Sequence, residues 1–299
     1  MTATFGWRPA LLALAVVAVW GTNFVVIKYA LHSLPPFLFA TLRFAFVVTP
    51  AVLLLPRPKV PWRDLAAYGV LIGVGQFAVI YFAINGHIAP GLASLLVQTQ
   101  IFFTIALAQR GNPVRLHPSL WVALALAGTG IGIIAGHTGG STTPLGVLLV
   151  LVAACGWAGG NIVQRRARGV DMLGYVVWSS LFAVPPLLAL SLIFEGPALI
   201  ASSLAAATTA TWAAVVWQAV GNTMFGYAVW GWLLGRYPTT TVAPLTLLVP
   251  VFGMGASALL LAEPLETWKL LAATLVIGGL AVNLLGPRLW RRFEVTPGA

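Results

Sequence analysis

Ten apolar stretches follow one another along the chain with only short loops between them: residues 9–31, 35–55, 63–85, 90–109, 118–136, 144–164, 172–194, 208–234, 239–262 and 267–286. A helix needs about 20 apolar residues to cross the hydrocarbon core of a bilayer. Inside that core the backbone must satisfy its own hydrogen bonds, so only helices and closed barrels cross it. The stretches lack the two-residue alternation of barrel strands. The expected fold is therefore an all-α polytopic membrane protein with ten transmembrane helices. A charged fraction of 7% and a mean hydropathy of +0.95 fit this reading, since soluble domains carry about 25% charged residues. The first stretch is too long for the apolar region of a signal peptide and lacks a small-residue cleavage pattern, so it is read as a permanent helix.

A net charge of +10 suggests nucleic acid at first sight, but the basic residues lie in the loops. One set of loops and ends holds Arg8, Arg57, Lys59, Arg63, Arg110, Arg115, Arg165, Arg166, Arg168, Arg236, Arg288, Arg291 and Arg292, thirteen of the 16 Lys and Arg residues. The opposite loops have only Lys28 and Lys269 nearby, and Arg43 lies within a span. This strict alternation is a topology signal that places both termini in the cytoplasm. No nucleic-acid partner is expected. The expected partners are the bilayer and a small-molecule substrate, the expected location is a bacterial inner membrane, and ten spans suffice to enclose a cavity in a monomer.

Residues 241–286 lie without a gap on residues 91–136 when shifted back by 150 positions. Ala243 falls on Ala93, Phe252 on Phe102, Ala256 on Ala106, Gly278 on Gly128 and Gly286 on Gly136. An internal repeat of this length divides the chain into halves at 1–137 and 138–299. Five spans per half is an odd number, so the second half enters the membrane from the opposite side. Inverted repeats of this kind are a recurrent device of secondary transporters, with the site between them near the bilayer midplane.

Several motifs carry a resemblance. WGTNFVVIK at Trp20–Lys28, the spacing from Pro35 or Pro36 to Arg43, and APLTLLVPVFGMGASALLLAEPL followed by Gly278 and Gly279 resemble the EamA-type drug/metabolite transporters over nearly the whole chain, as two tandem EamA domains. Within that superfamily the aromatic-rich spans look most like the YddG-type amino-acid exporters. The resemblance implies a drug/metabolite transporter fold and export of a small solute. The first half departs from the pattern: Gln100 stands where the second half has Pro250, and Pro113 where it has Glu263.

Polar side chains deep in spans face the bundle or a wet cavity. Trp157, Asn161 and Gln164 share one helical face, as do Trp20, Asn23 and Ile27. Gln76, Tyr81, Gln98 and Gln100 on the third and fourth spans, and Trp217, Gln218 and Asn222 on the eighth, extend the set. Helical geometry sets Gln98 and Gln100 in opposite directions, so at most one is expected to face a cavity. The amides either hold a zwitterionic substrate, since each both donates and accepts, or bond across helices as packing glue. Trp20, Trp157, Trp178 and Trp217 lie too deep for interface anchors; they serve either as flat walls for a substrate side chain or as core packing. Trp7, Trp62, Trp121, Trp212, Trp268 and Trp290 near span ends read as interface anchors. Arg43 either contacts a substrate carboxylate, snorkels outward or bonds the end of a broken helix. Pro244 and Pro250 supply hinges or static kinks, and Gly73, Gly75, Gly128, Gly130 and Gly132 allow close helix approach.

No carboxylate is left in the membrane interior: Asp64 and Asp171 lie at one boundary, Glu195, Glu263 and Glu266 at the other, and Glu294 in the tail. Proton-coupled carriers commonly use such an acid, so a facilitative carrier is expected. His32, His87, His117 and His137 are scattered, no HExxH occurs, and the single Cys155 forms no CxxC, so neither enzyme chemistry, metal nor cofactor is expected. The readings that remain are export of amino acids, aromatic and other neutral ones favoured, or similar metabolites; export of hydrophobic cationic drugs; and a passive channel or scaffold.

Overall fold

The computed structural model describes residues 5–111, 117–167 and 169–294, with side chains omitted at 111, 239, 240 and 287–294. Pro113, Arg115 and Arg168 lie outside the described residues, as do the side chains of Arg288, Trp290, Arg291, Arg292 and Glu294. The described chain is helical with no strand. Among the described residues, nine helices are long and apolar enough to span a bilayer: Trp7–Ala30, Pro36–Leu54, Trp62–Ile84, Pro90–Arg110, Pro118–Gly136, Pro144–Gln164, Met172–Phe194, Ala243–Leu261 and Thr267–Gly286. Gly196–Ala206 and Thr209–Arg236, bent by 105° at their junction, make a tenth when the bent pair counts as one span, the eighth in chain order. The fold is that of an all-α polytopic membrane protein.

Helix starts follow from local chemistry. Four spans begin with proline at the first helical position, Pro36, Pro90, Pro118 and Pro144, where the missing N–H would be unpaired anyway. Thr143 and Asp171 accept from the third residue of their helices at 3.0 and 2.7 Å, and Thr208 with Thr211 forms a reciprocal capping pair. Helix Gly196–Ala206 sits where the sequence was read as a loop after 194; a positive φ of 76° at Gly196 makes the turn into it.

Five spans are not uniform α-helices, the second because its helix breaks at Thr49 and Pro50 before a short helical turn over Ala51–Leu54. The third is π-helical over Leu71–Ala78 and the eighth over Trp217–Phe225, while the fourth passes through a 3₁₀ turn at Val97–Thr99 and the ninth through one at Ala243–Leu248. In the eighth, Thr223 Oγ1 donates to the Gln218 carbonyl five residues back at 2.9 Å, which matches the wider pitch. In the ninth span Pro244 is the second residue of the turn and Pro250 the second residue of the helix after it, whereas the seventh remains one helix through Pro185 and Pro186.

The third span packs on the sixth and seventh, the first on the eighth and ninth, the second on the seventh and eighth, the fourth on the sixth and ninth, and the fifth on the tenth. Small residues set the closest approaches. A Cβ on Gly156 would lie 2.5 Å from the Gly75 carbonyl carbon, one on Gly73 2.5 Å from the Ala183 Cβ, and one on Gly130 2.9 Å from the Ala272 carbonyl oxygen. Gly128 and Gly132 have nothing within 4 Å and, contrary to expectation, make no such contact.

Candidate functional site

The wide pitch of the third and eighth spans and the tight turns of the fourth and ninth leave a cavity of about 330 Å³ at the centre of the bundle, within the range of small-molecule sites. The first span contributes Trp20, Asn23 and Ile27, the third Tyr68, Gln76 and Phe77, the fourth Gln98 and Gln100, and the sixth Trp157, Asn161 and Gln164. The eighth span adds Asn222, Tyr227 and Trp230, and the ninth Thr246 and Val249. No carboxylate among the described residues lines it.

Both Gln98 and Gln100 reach the cavity, against the expectation that at most one would, because Gln98 sits within the 3₁₀ turn Val97–Thr99 that leads into Gln100 and replaces α pitch. Gln98 Nε2 donates to the Thr246 carbonyl at 3.2 Å. Asn161 Nδ2 donates to Gln100 Oε1 at 2.8 Å and to Thr104 Oγ1 at 3.3 Å. These amides therefore join helices and line the cavity together. Trp20 Nε1 donates to the Asn222 carbonyl at 3.1 Å, and its ring packs on those of Trp230 and Tyr227 with centroids 5.3 and 5.9 Å apart. The lining thus holds an aromatic corner of Trp20, Tyr227 and Trp230 and an amide cluster around Gln100 and Asn161.

Five residues singled out from the sequence do not line this cavity, among them Gln218, which is buried and accepts from Tyr81 Oη at 3.1 Å. Trp217 is 38% exposed on the outer surface of the bundle, beside Val25, Tyr29 and Leu260. Trp178 donates to the Leu55 carbonyl at 3.1 Å and packs edge-on to Trp62, toward the basic end of its span. Tyr81 and Arg43 are fully buried behind the cavity wall. Arg43 neither snorkels nor meets the cavity: its guanidinium donates to Tyr81 Oη and Thr223 Oγ1, each at 2.9 Å, and lies 3.6 Å from the centroid of Phe77. Conversely, Tyr68, Phe77, Tyr227 and Trp230 were not singled out. The two π-helical stretches shift the faces that an α period assigns, so periodicity carried no signal for these residues.

The model of the EamA-like transporter family matches residues 7–136 and again residues 144–285. The chain belongs to the EamA-like transporter family. A protein of Escherichia coli (strain K12) named "Probable amino-acid metabolite efflux pump" is 42% identical over 291 residues, 95% of this chain and 97% of its own length. A protein of the same name from Salmonella typhimurium is 42% identical over 97% of this chain and 99% of its own length. One crystal structure shares the fold, with a TM-score of 0.67 at 19% identity over 97% of this chain and 99% of its own.

In this EamA-family chain the two ends of the cavity differ. Its lining reaches Gln164, the last residue of the sixth span, Met172, the first of the seventh, and Leu234, close to the end of the eighth. These are the ends next to Arg165, Arg166 and Arg236. Toward the other side the lining stops at Ile27 and Ile80, and beyond them Leu34, Phe39, Ile84 and Ile88 are buried. Polar contacts join the helices on that side. Glu195 accepts from the backbone N–H of Phe37 at 2.6 Å and of Leu38 at 2.9 Å, and from Ser191 at 2.6 Å, so it caps the second span from the seventh. Glu263 accepts from Gly91 N at 3.2 Å and pairs with Lys269 at 3.6 Å, which caps the fourth span from the loop between the ninth and tenth. Lys28 donates to the Ile84 carbonyl at 3.3 Å. Burial raises the Glu195 carboxyl pKa above its ordinary value, against the opposing effect of its three donors.

Proposed function

We propose that this chain is a facilitative secondary transporter that exports amino acids, neutral and aromatic ones favoured, or similar amphipathic metabolites across the inner membrane by alternating access. The observation that carries the proposal is the central cavity, lined by uncharged amides and aromatic faces, with no described carboxylate in its lining, and extending to Gln164, Met172 and Leu234 at the ends of their spans. Amides suit both ends of a zwitterion, and the Trp20, Tyr227 and Trp230 corner suits an apolar side chain. The names of the Escherichia coli and Salmonella typhimurium relatives point to the same class of solute.

Alternating access draws support from the packing. If each span is exchanged with the one five places later, the neighbour pattern maps onto itself: three-on-six becomes eight-on-one, four-on-six becomes nine-on-one, and three-on-seven becomes eight-on-two. The π stretches of spans three and eight and the 3₁₀ turns of spans four and nine exchange as well. This is the behaviour of two inverted five-helix repeats, at 1–137 and 138–299, which rock about a shared site. With both termini cytoplasmic, the structure stands open to the cytoplasm. Pro244, within the turn of the ninth span, and Pro250, just after it, mark where that span would bend, and one chain acts as a monomer.

The test is uptake into proteoliposomes of an aromatic amino acid, a small neutral amino acid and a lipophilic cation, with unlabelled solute preloaded. Saturable amino-acid flux accelerated by preloading, and not driven by a pH gradient alone, is the expected result. Flux of the cation alone would turn the assignment to drug export, non-saturable flux to a channel, and no flux to a scaffold.

A further inference from the structure

Three charged side chains are buried among the described residues. Asp64 pairs with Arg166 at 3.3 Å and Lys269 with Glu263 at 3.6 Å, but Arg43 has no carboxylate. Its two hydrogen-bond partners, Tyr81 and Thr223, are neutral, and its Nε has no partner. The remaining described carboxylates of known surroundings are engaged elsewhere: Asp171 and Glu195 at helix starts, Glu266 with Lys269. A cation buried in the bundle without an anion is costly, and such residues are retained where their charge is used.

Arg43 is separated from the central cavity by one layer of side chains. Tyr68, Phe77 and Tyr227 line the central cavity on one side and, on the other, a water-sized void of about 10 Å³ that also touches Arg43. Apolar walls and the absence of counter-charge leave its field poorly screened there, since buried charges act through a low effective dielectric and salt does not enter. The faces of Trp20 and Trp230 attract cations through their ring quadrupoles, but that attraction falls off faster with distance than the field of a full charge.

We propose that Arg43 is the charge-selecting residue of the cavity. Without touching the solute, it favours molecules that present a carboxylate to the Tyr68, Phe77 and Tyr227 wall and excludes cations of the same shape. The substrate class is then carboxylates, zwitterionic or anionic, and a free ammonium group is dispensable, so that N-acylated amino acids are accepted beside amino acids. The inference rests on the cavity being the substrate site of the proposed transporter.

The test compares phenylalanine, N-acetylphenylalanine and phenylalaninamide, which share a ring and differ in charge, under mildly acidic conditions that keep the amide's amine protonated. Binding to the purified full-length protein is read by thermal shift and by tryptophan fluorescence, and flux is read separately in proteoliposomes. The two carboxylates should bind within about threefold of each other and the amide about tenfold or more weaker. Arg43→Gln should bring that ratio to about one; Arg43→Lys, which keeps the charge, and Tyr81→Phe, which removes a bond but no charge, should preserve it. Equal binding of acid and amide by the wild type, or a ratio that survives in Arg43→Gln, overturns the proposal. The wild-type ratio decides even if Arg43→Gln does not fold. An Arg43-dependent ratio in binding without flux of any amino acid would overturn the transport reading and leave charge selection standing, whereas flux without the ratio would do the reverse.

Discussion

Asn161 shows how a single side chain serves packing and cavity together. Its amide holds Gln100 and Thr104 across the bundle while it lines the space beside Trp157. Asn161→Ala frees Gln100 and is expected to raise the half-saturating concentration about fivefold, the worth of about one neutral hydrogen bond, with the maximal rate less changed. Thr129→Ala, at an exposed threonine that bonds only its own helix, is the control and should leave both parameters unaltered. Trp230→Ala removes one wall of the aromatic corner and should weaken an aromatic amino acid about tenfold relative to a small neutral one; competition assays on the same proteoliposomes read the ratio. The faces Trp20, Asn23, Ile27 and Trp157, Asn161, Gln164 were legible in the sequence because their spans are regular α-helices, in which spacing fixes direction. Gln98 with Gln100, and the wall of Tyr68, Phe77 and Tyr227, were not, because their positions depend on the local changes of pitch in the third, fourth and eighth spans.

Elements were legible where one physical rule dominates. Apolar length located the spans and proline marked four of their starts. Helix Gly196–Ala206 escaped because its composition suits a loop as well as a short helix, and its direction is decided at the Gly196 turn. Glycine in an apolar stretch says nothing of which face it occupies, so Gly130 and Gly128 read alike although one touches the tenth span and the other nothing. Gly156→Ala should therefore destabilise the fold by about 1–3 kcal/mol, the cost of forcing a methyl into a full contact, whereas Gly128→Ala should be neutral or stabilising by up to about 1 kcal/mol through helix propensity; thermal unfolding in detergent separates them. The clamp on the second span carries a pH dependence. Burial raises the Glu195 pKa, so between its ordinary value and the raised one the folded state binds more protons than the unfolded. The contribution of Glu195 to stability is therefore full below the ordinary carboxylate range and is lost as pH rises through the raised value. Glu195→Gln, which cannot titrate, should flatten the unfolding temperature across that window.

At the scale of the whole molecule, charge alternation and the repeat give an expected topology, and the packing distinguishes the two sides of the bundle. On the side with Glu195, Glu263 and Lys28, side chains cap helix ends or reach backbone carbonyls, while toward Arg165, Arg166 and Arg236 the cavity lining extends to Gln164, Met172 and Leu234. No sequence pattern announces this asymmetry, because one sequence can hold two conformations whose free energies differ by a few kcal/mol. The claim that unites these scales is that this cavity is the transport site, reached from one side at a time. It is tested most directly by placing single cysteines at Met172 and Ile80 in a Cys155→Ser background and following their reaction with an impermeant maleimide from each side of oriented vesicles, with and without amino acid. The account predicts that Met172→Cys reacts from the cytoplasmic side, that substrate slows this reaction, and that Ile80→Cys becomes reactive from the opposite side while transport is under way. Labelling of Met172→Cys that substrate leaves unchanged, in vesicles that still transport, would contradict it.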